Sequence, residues 1–279
     1  MAGMLQIKIL IFIEDGVQSP ALLTGSTLSG QDLFTIMAIQ KSTDFPNQVI
    51  AIIPAAGSGT RMGLTKAKQF MDLCGKPILA VTLSRFQECN LVDRIVVVVS
   101  QDDVDYCLRE IVDRYQLSKV FKVVVGGRRR QDSVRKGIET IEDSCRLVLI
   151  HDGARPLVTT GLIERVITAA RRFRAVIAGL QVKETVKEID SKGRVLRSID
   201  RRGLWLIQTP QVFRWEDICQ AHQEAVKHGW EEATDDAFLI EKMGIPVRII
   251  KGEDVNIKIT TPQDLDIARF LMSKKSLQL

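Results

Sequence analysis

Ala51-Ile-Ile-Pro-Ala-Ala-Gly57-Ser-Gly59-Thr-Arg61-Met-Gly-Leu-Thr-Lys-Ala-Lys68 is the run on which the reading of this chain turns. An apolar strand stops at Pro54, a glycine turn follows, and two cations, Arg61 and Lys68, stand just beyond it. Glycine leaves room for backbone N–H groups to approach phosphate oxygens. Arginine and lysine then neutralise charge that amides alone do not. The combination suits a bound triphosphate, with Ala55, Ala56, Gly57 and Gly59 as nucleotide-binding candidates and Arg61 and Lys68 as catalytic ones. Two commoner phosphate loops are excluded. A dinucleotide fingerprint needs a third glycine where Met62 stands, and the Gly-Lys-Ser/Thr of a P-loop is missing.

From Val49 onward, apolar runs of strand length alternate with segments of helical period. Strands are expected at Val49–Pro54, Arg94–Ser100, Phe121–Val125, Leu147–Ile150 and Ala175–Leu180, with helices at Pro77–Gln87, Asp103–Arg114, Gln131–Glu142 and Leu162–Arg172. Ile95-Val-Val-Val-Val99 is apolar without alternation, as a strand covered on both faces should be. The order predicts an α/β fold with a Rossmann-like, mostly parallel, doubly wound sheet. Ligands on such sheets lie outside the strand carboxyl ends, where Gly57, the Gly126-Gly127 pair and Asp152 all fall. Val182–Ile189 and Arg194–Ile199 instead alternate polar and apolar residues around Asp190-Ser-Lys-Gly193, which predicts a protruding β-hairpin. A two-stranded ribbon is marginal alone, so this arm, about 182–201, calls for a partner to cover it. Further on, helices are expected at Glu216–Lys227 and Asp235–Met243 and strands at Pro246–Ile250 and Val255–Ile259. Thr261-Pro262-Gln263-Asp264 reads as a helix start.

The 279 residues suit one large α/β domain, placed here at 49–279. The formal charge of +5 fits an ordinary surface or a pocket for phosphorylated substrates. No stripe of Lys and Arg interleaves with aromatics, so nucleic acid is not expected as a partner, and no apolar run approaches the roughly 20 residues of a membrane span. The five cysteines are scattered without a Cys-x-x-Cys pair, which fits neither a disulfide framework nor a zinc site and suits a cytoplasmic protein. Residues 1–48 are read as a poorly structured extension: Ile9–Ile13 is too short for a signal core, and Asp15–Gln31 lacks clear periodicity. Met37 lies twelve residues before Val49, so translation is expected to start near it, with 1–36 an upstream extension or a mobile tail.

Further constellations fall after strand ends or in turns. In His151-Asp152-Gly-Ala-Arg155-Pro156, Asp152 is a candidate to hold Mg²⁺ or orient an acceptor, and Arg155 to fix it or reach a phosphate; a structural Asp–Arg pair is the other reading. Gly126-Gly127-Arg-Arg-Arg-Gln-Asp132-Ser133 joins a double-glycine turn to a helix start, where Asp132 or Ser133 can cap. Thr209-Pro210-Gln211 and Thr234-Asp235-Asp236 are hydroxyl-bearing turns. Lys258 sits on the short strand before the last helix, where a lone lysine is usually solvated.

Pro54-Ala-Ala-Gly-x-Gly-x-Arg61-Met62, with Lys68-Gln69 after it, resembles the signature of nucleotidyltransferases that activate small phosphates with an NTP. Thr185 and Asp200-Arg201-Arg202-Gly203-Leu204-Trp205, together with Thr-Asp-Asp, resemble most the 2-C-methyl-D-erythritol 4-phosphate cytidylyltransferases. The resemblance covers residues 49–272. It implies CTP with Mg²⁺ as cofactor, the acceptor methylerythritol 4-phosphate, and a homodimer clasped by the hairpin arm. It also implies that Gly126, Gly127 and Ser133 read the base, and that Lys258 stabilises charge on the α-phosphate. Asp152, Arg155, Thr209 and Thr234 would shape the acceptor pocket, and Thr185 and Arg201 would meet the acceptor phosphate from the neighbouring subunit. Three positions depart from the family pattern: Ala67 where many relatives have Pro, Arg128 where an acidic residue is frequent, and Gly153 where Ala or Ser is frequent. A ribitol-5-phosphate cytidylyltransferase, a sugar-1-phosphate nucleotidyltransferase and a catalytically silent nucleotide-binding scaffold are the alternatives.

Overall fold

The computed structural model describes residues 48–57, 67–141, 145–231 and 233–276. The expectations for residues 1–47, and for Gly59 and Arg61, lie outside these. The main sheet has seven strands: β1 (Gln48–Pro54), β4 (Arg94–Val99), β5 (Val120–Val125), β6 (Cys145–Ile150), β7 (Ala175–Gln181), β10 (Trp205–Arg214) and β11 (Val247–Lys251). Two short strands, β2 (Asp72–Leu73) and β3 (Lys76–Pro77), pair beside it, and β8 (Val186–Ile189) and β9 (Val195–Ile199) form the arm. Across the sheet the order is β11-β7-β10-β6-β1-β4-β5. Four neighbouring pairs are parallel; β10 runs antiparallel to both β6 and β7.

That order follows from the apolar patterning. Alternate residues of a strand point to opposite faces, and both faces here are buried. Val49, Ala51 and Ile53 of β1 join one core cluster, with α1 (Ile78–Glu88) and α4 (Thr160–Ala170) packed over it. Ile50 and Ile52 join another on the opposite face, beneath α3 (Arg130–Ile138), α5 (Trp215–His228) and α6 (Asp236–Lys242). The helix α2 (Val104–Tyr106) continues as a wider turn over Cys107–Asp113. The last helix, α7 (Pro262–Ser276), buries Leu265 and Ala268 in a third cluster with Leu73, Ile78 and Ile259. Its start is fixed as expected: Thr260 and Thr261 N–H donate to Asp264 Oδ2, each at 2.8 Å, and Asp264 N–H donates to Thr261 Oγ1 at 3.2 Å. No helix among the described residues is long and apolar enough to cross a membrane.

Chain direction through the sheet sets the place of the site. From β1 the chain steps outward through β4 to β5, then returns to lay β6 on the other side of β1. The order therefore reverses between β1 and β6, and their carboxyl ends, at Pro54 and Ile150, open the crevice that such reversals create.

Three expectations are corrected. Thr209-Pro210-Gln211 is no turn: it lies inside β10, the ten-residue strand that joins the two halves of the sheet, with a cis Thr209-Pro210 bond. The pairing with β7 shifts between Gln208 and Gln211, where proline has no N–H to give to the ladder. Val255–Ile259 is not a strand. Asn256 N–H donates to Glu253 O and Ile257 N–H to Val255 O, so the segment folds through tight turns as a strap over the sheet end. The helix expected over 131–142 ends earlier, at Ile138. The arm is a hairpin as expected, with its paired residues confined to β8 and β9.

Candidate functional site

At the β1–β6 reversal lies a cleft lined by Pro54, Ala55, Ala56 and Gly57 from the end of β1, Lys68 and Gln69, Gly127 to Arg130 and Ser133 from the β5–α3 turn, Asp152 and Ala154 after β6, and Lys258 from the strap. Three separate turns meet here because each follows a parallel strand that ends on the same edge.

Asp152 is the hub. Its carboxylate is only 10% exposed and faces three cations: Arg130 Nε at 3.0 Å from Oδ1, Lys258 Nζ at 2.9 Å from Oδ2, and Arg155 Nε at 3.4 Å from Oδ2. Its backbone N–H donates to Thr209 Oγ1 at 3.0 Å. Burial alone would raise the pKa of this carboxyl, but Arg130, Lys258 and Arg155 override it and hold the group well below the usual carboxylate range. Arg130 is shared. Its Nη1 lies 2.6 Å from Oδ2 of Asp236, a carboxylate that is 1% exposed at the start of α6. Burial works against the charge on Arg130, and the two carboxylates more than offset it, so its pKa is raised. Three cations against two carboxylates leave this cluster with a positive excess, suited to an anionic ligand.

Lys258 reaches the cleft because the strap beneath it is pinned. Asn256, wholly buried, donates from Nδ2 to Thr209 O at 2.8 Å, and its own carbonyl accepts from Arg155 Nη1 at 2.8 Å. Ile259 N–H donates to Ala154 O at 2.8 Å, and Gln208 Nε2 donates to Glu253 O at 2.9 Å. Thr209 and Arg155 therefore stand behind Asp152 and hold it, rather than line the cleft.

The double-glycine turn is set by close approach. A Cβ on Gly126 would lie 2.5 Å from the Ala56 Cβ, and one on Gly127 would lie 2.3 Å from the Asp132 Cβ. The turn thus sits directly against the end of β1 at Gly126 and against the first turn of α3 at Gly127, and a side chain at either position would push it from that neighbour. Ser133 Oγ accepts from Gly127 N–H at 3.1 Å and donates to Arg129 O at 3.2 Å, so it braces the turn from within. Asp132 caps α3 by accepting from Arg129 N–H at 3.1 Å. The Ala55 amide is spent inside the fold on Val98 O at 2.6 Å, and the amides of Ala56 and Gly57 have no acceptor among the described residues.

The candidates from the sequence thus divide. Ala55, Ala56, Gly57, Gly127, Ser133, Lys68, Asp152 and Lys258 meet at the cleft, and Gly126 packs directly behind it. Thr185 and Arg201 are exposed on and beside the arm, and Thr234 is exposed ahead of α6, where Asp235 Oδ1 caps the helix by accepting from Phe238 N–H at 3.0 Å; within one chain these three do not line the cleft. Arg130 and Asp236 were not singled out as site residues. Arg130 stands in the run Arg128-Arg-Arg130 of the double-glycine turn, and its position as the first residue of α3 is the available signal.

A magnesium ion held by Asp152 does not fit the donor set. Both oxygens of this carboxylate already face cations, it is the one acidic side chain among the described lining residues, and segment 58–66 contains no Asp or Glu. No group of three His, Cys, Asp or Glu side chains among the described residues is placed to hold a metal.

His151, beside the hub, is wholly buried against Phe86, with Nε2 3.1 Å from Arg155 O. Burial pushes its pKa down to about 4, and the charges of Arg155 and Arg130 push the same way. A neutral imidazole donates from Nε2 to that carbonyl.

The family model IspD, 2-C-methyl-D-erythritol 4-phosphate cytidylyltransferase, matches residues 49–274. A protein of that name from Syntrophus aciditrophicus is 44% identical over 228 residues, covering 82% of this chain and 97% of that protein. Another from Caldanaerobacter subterraneus is 42% identical over 226 residues, covering 81% and 99%. Among solved structures, the 4-diphosphocytidyl-2C-methyl-D-erythritol synthase of Anaerococcus prevotii superposes with a TM-score of 0.70 at 32% identity, over 82% of this chain and 99% of that one. The 2-C-methyl-D-erythritol 4-phosphate cytidylyltransferase of Thermus thermophilus gives 0.67 at 33% identity, over 81% and 99%.

The buried imidazole predicts a pH dependence of stability. The unfolded chain binds a proton at His151 near pH 6.5 and the folded chain only near 4, so stability is fully present above about 6.5 and declines as pH falls toward about 4. The decline attributable to His151 is up to about 3 kcal/mol across that window. Denaturant unfolding at pH 7 and pH 4.5 checks it: His151→Gln should flatten the difference, and an unchanged difference would assign it elsewhere.

Proposed function

The chain belongs to the 2-C-methyl-D-erythritol 4-phosphate cytidylyltransferase family, and on that premise we propose how its residues divide the work. The enzyme transfers CMP from CTP to 2-C-methyl-D-erythritol 4-phosphate, releasing pyrophosphate and CDP-methylerythritol, a step of isoprenoid synthesis. The acceptor phosphate attacks the α-phosphorus, the P–O bond to the β-phosphate breaks, and pyrophosphate leaves. A phosphate dianion is already nucleophilic, so no general base is required. Catalysis is positioning plus stabilisation of charge that grows on the α-phosphate and the leaving group.

The observation that carries the assignment of roles is Lys258 Nζ, held 2.9 Å from Asp152 Oδ2 on one side of the cleft that Lys68 lines with it. In this reading Lys258 meets the α-phosphate and the acceptor, Lys68 and Arg61 meet the triphosphate, and the Ala56 and Gly57 amides cradle it. Gly127 of the double-glycine turn lines the cleft and would present its backbone to the base edge, and Ser133 braces that turn. Since the described residues offer no magnesium cage, we take Mg²⁺ to be part of the substrate, as magnesium–CTP.

The arm supplies the rest. Ile189, Val195 and Leu196 on it, and Trp205 to Ile207 at the start of β10, expose large apolar side chains, and β8 and β9 pair only with each other among the described residues. A ribbon so exposed is stable when covered. Two copies of the chain cover each other's arms, and Thr185 and Arg201 then serve the acceptor phosphate in the partner's cleft.

Three outcomes are expected. Pyrophosphate release should require methylerythritol 4-phosphate and not ribitol 5-phosphate, and Lys258→Ala should lower turnover by about 10²–10³ with the fold intact. Near-normal turnover of that variant would remove Lys258 from the mechanism. Sedimentation of Val195→Glu/Leu196→Glu should show a shift from dimer to monomer; a dimer that persists would place the interface elsewhere.

A further inference from the structure

A chain of polar side chains runs from the helical layer to the cleft: His222 on α5, Asp236 on α6, Arg130 on α3, then Asp152 and Lys258. His222 and Asp236 are 2% and 1% exposed, with His222 Nε2 3.3 Å from Asp236 Oδ1. Arg130 presents one nitrogen to each carboxylate, Nε to Asp152 and Nη1 to Asp236. Its third nitrogen, Nη2, is buried and has no partner among the described residues. Among the described residues, the two carboxylates are therefore the hydrogen-bond partners that set the position of the guanidinium.

We propose that Asp236 is a positioning residue for cytidylyl transfer: by anchoring Arg130 through Nη1, it restricts that guanidinium to Asp152 Oδ1 and leaves Oδ2 to Lys258. The reason is geometric. A guanidinium with a single carboxylate partner prefers the fork arrangement, two parallel N–H donors on both oxygens. Arg130 Nε already donates to Asp152 Oδ1, and the donor that would complete the fork on Oδ2 is Nη2, which is kept from it while Nη1, on the opposite side of the guanidinium, is anchored by Asp236 at 2.6 Å. If Asp236 loses its charge, Arg130 turns onto both oxygens of Asp152 and displaces Lys258, now 2.9 Å from Oδ2. The Lys258 side chain is 37% exposed and rests on a flexible stem, so it then swings away from the point of transfer. Asp236 does not itself line the cleft and acts only through Arg130. The competing account makes it a countercharge that merely holds α6 against α3.

This inference rests on the reading of the cleft given above, and the test separates the two. Steady-state kinetics with CTP and methylerythritol 4-phosphate are measured for Asp236→Asn, for Asp236→Glu, and for Lys258→Ala. Asp236→Asn should lower kcat about tenfold or more while KM for CTP stays within about threefold. Asp236→Glu keeps the countercharge but moves the carboxylate by one methylene, so it retains the ion pair while shifting the anchor of Arg130. It too should lower kcat, and it carries the test if Asp236→Asn does not fold. Folded Asp236→Asn, or Asp236→Glu, with kcat unchanged would overturn the proposal in favour of the structural countercharge. Loss of turnover in Lys258→Ala alongside a normal Asp236→Asn sinks only the role of Asp236. Normal turnover in Lys258→Ala sinks the reading of the cleft, and the role of Asp236 with it.

Discussion

The ionised carboxylate of Asp152, buried among Arg130, Arg155 and Lys258, is the interaction from which the rest of the site is organised. Each cation arrives from a different part of the chain: Arg130 from the start of α3, Arg155 from the turn after β6, and Lys258 from the strap before α7. Without Asp152 the three would repel one another in a cleft of low polarisability. Removing one partner of a buried charge pair costs about 3–5 kcal/mol, so the carboxylate and its cations stand or fall together. Asp152 is in turn fixed through its own backbone by Thr209, and the strap by the buried Asn256. The antiparallel strand β10 thus supports the catalytic edge of an otherwise parallel half-sheet.

The doubly wound pattern was legible in the sequence because parallel strands buried on both faces read as continuous apolar runs, and Ile95 to Val99 is such a run. β10 was not legible. Its centre carries Thr-Pro-Gln, which reads as a turn, and its inward residues Gln208, Thr209 and Gln211 are polar groups that find partners only in the folded chain, Glu253, Asp152 and Asp235. Val255–Ile259 erred the other way. Val-Asn-Ile-Lys-Ile alternates like a strand, but the buried members are Asn256 and Ile259, three residues apart, as the turns of a strap require.

The nucleotide side of the site was read from one contiguous run, because glycine spacing and nearby cations are local features. Arg130 escaped notice because its meaning lies in Asp236, 106 residues further along, and no local pattern joins them. Ser133 is read as a contact to the base; its hydroxyl also braces the turn backbone at the edge of the cleft, a role no local pattern announces. The division is physical. Backbone geometry is written in short motifs, and buried charge networks are written in pairs that only the fold brings together.

The central claim is that the reacting groups meet where Asp152 gathers its cations. The most direct measurement is pyrophosphate release by Asp152→Asn with CTP and methylerythritol 4-phosphate, alongside circular dichroism to establish that the protein is folded. The variant keeps the shape of the side chain and removes its charge. The account predicts that the folded variant loses turnover by about 10² or more, because Lys258 and Arg130 are no longer held in register. Folded Asp152→Asn with turnover within about threefold of the original would contradict it, and would place the chemistry elsewhere on the chain.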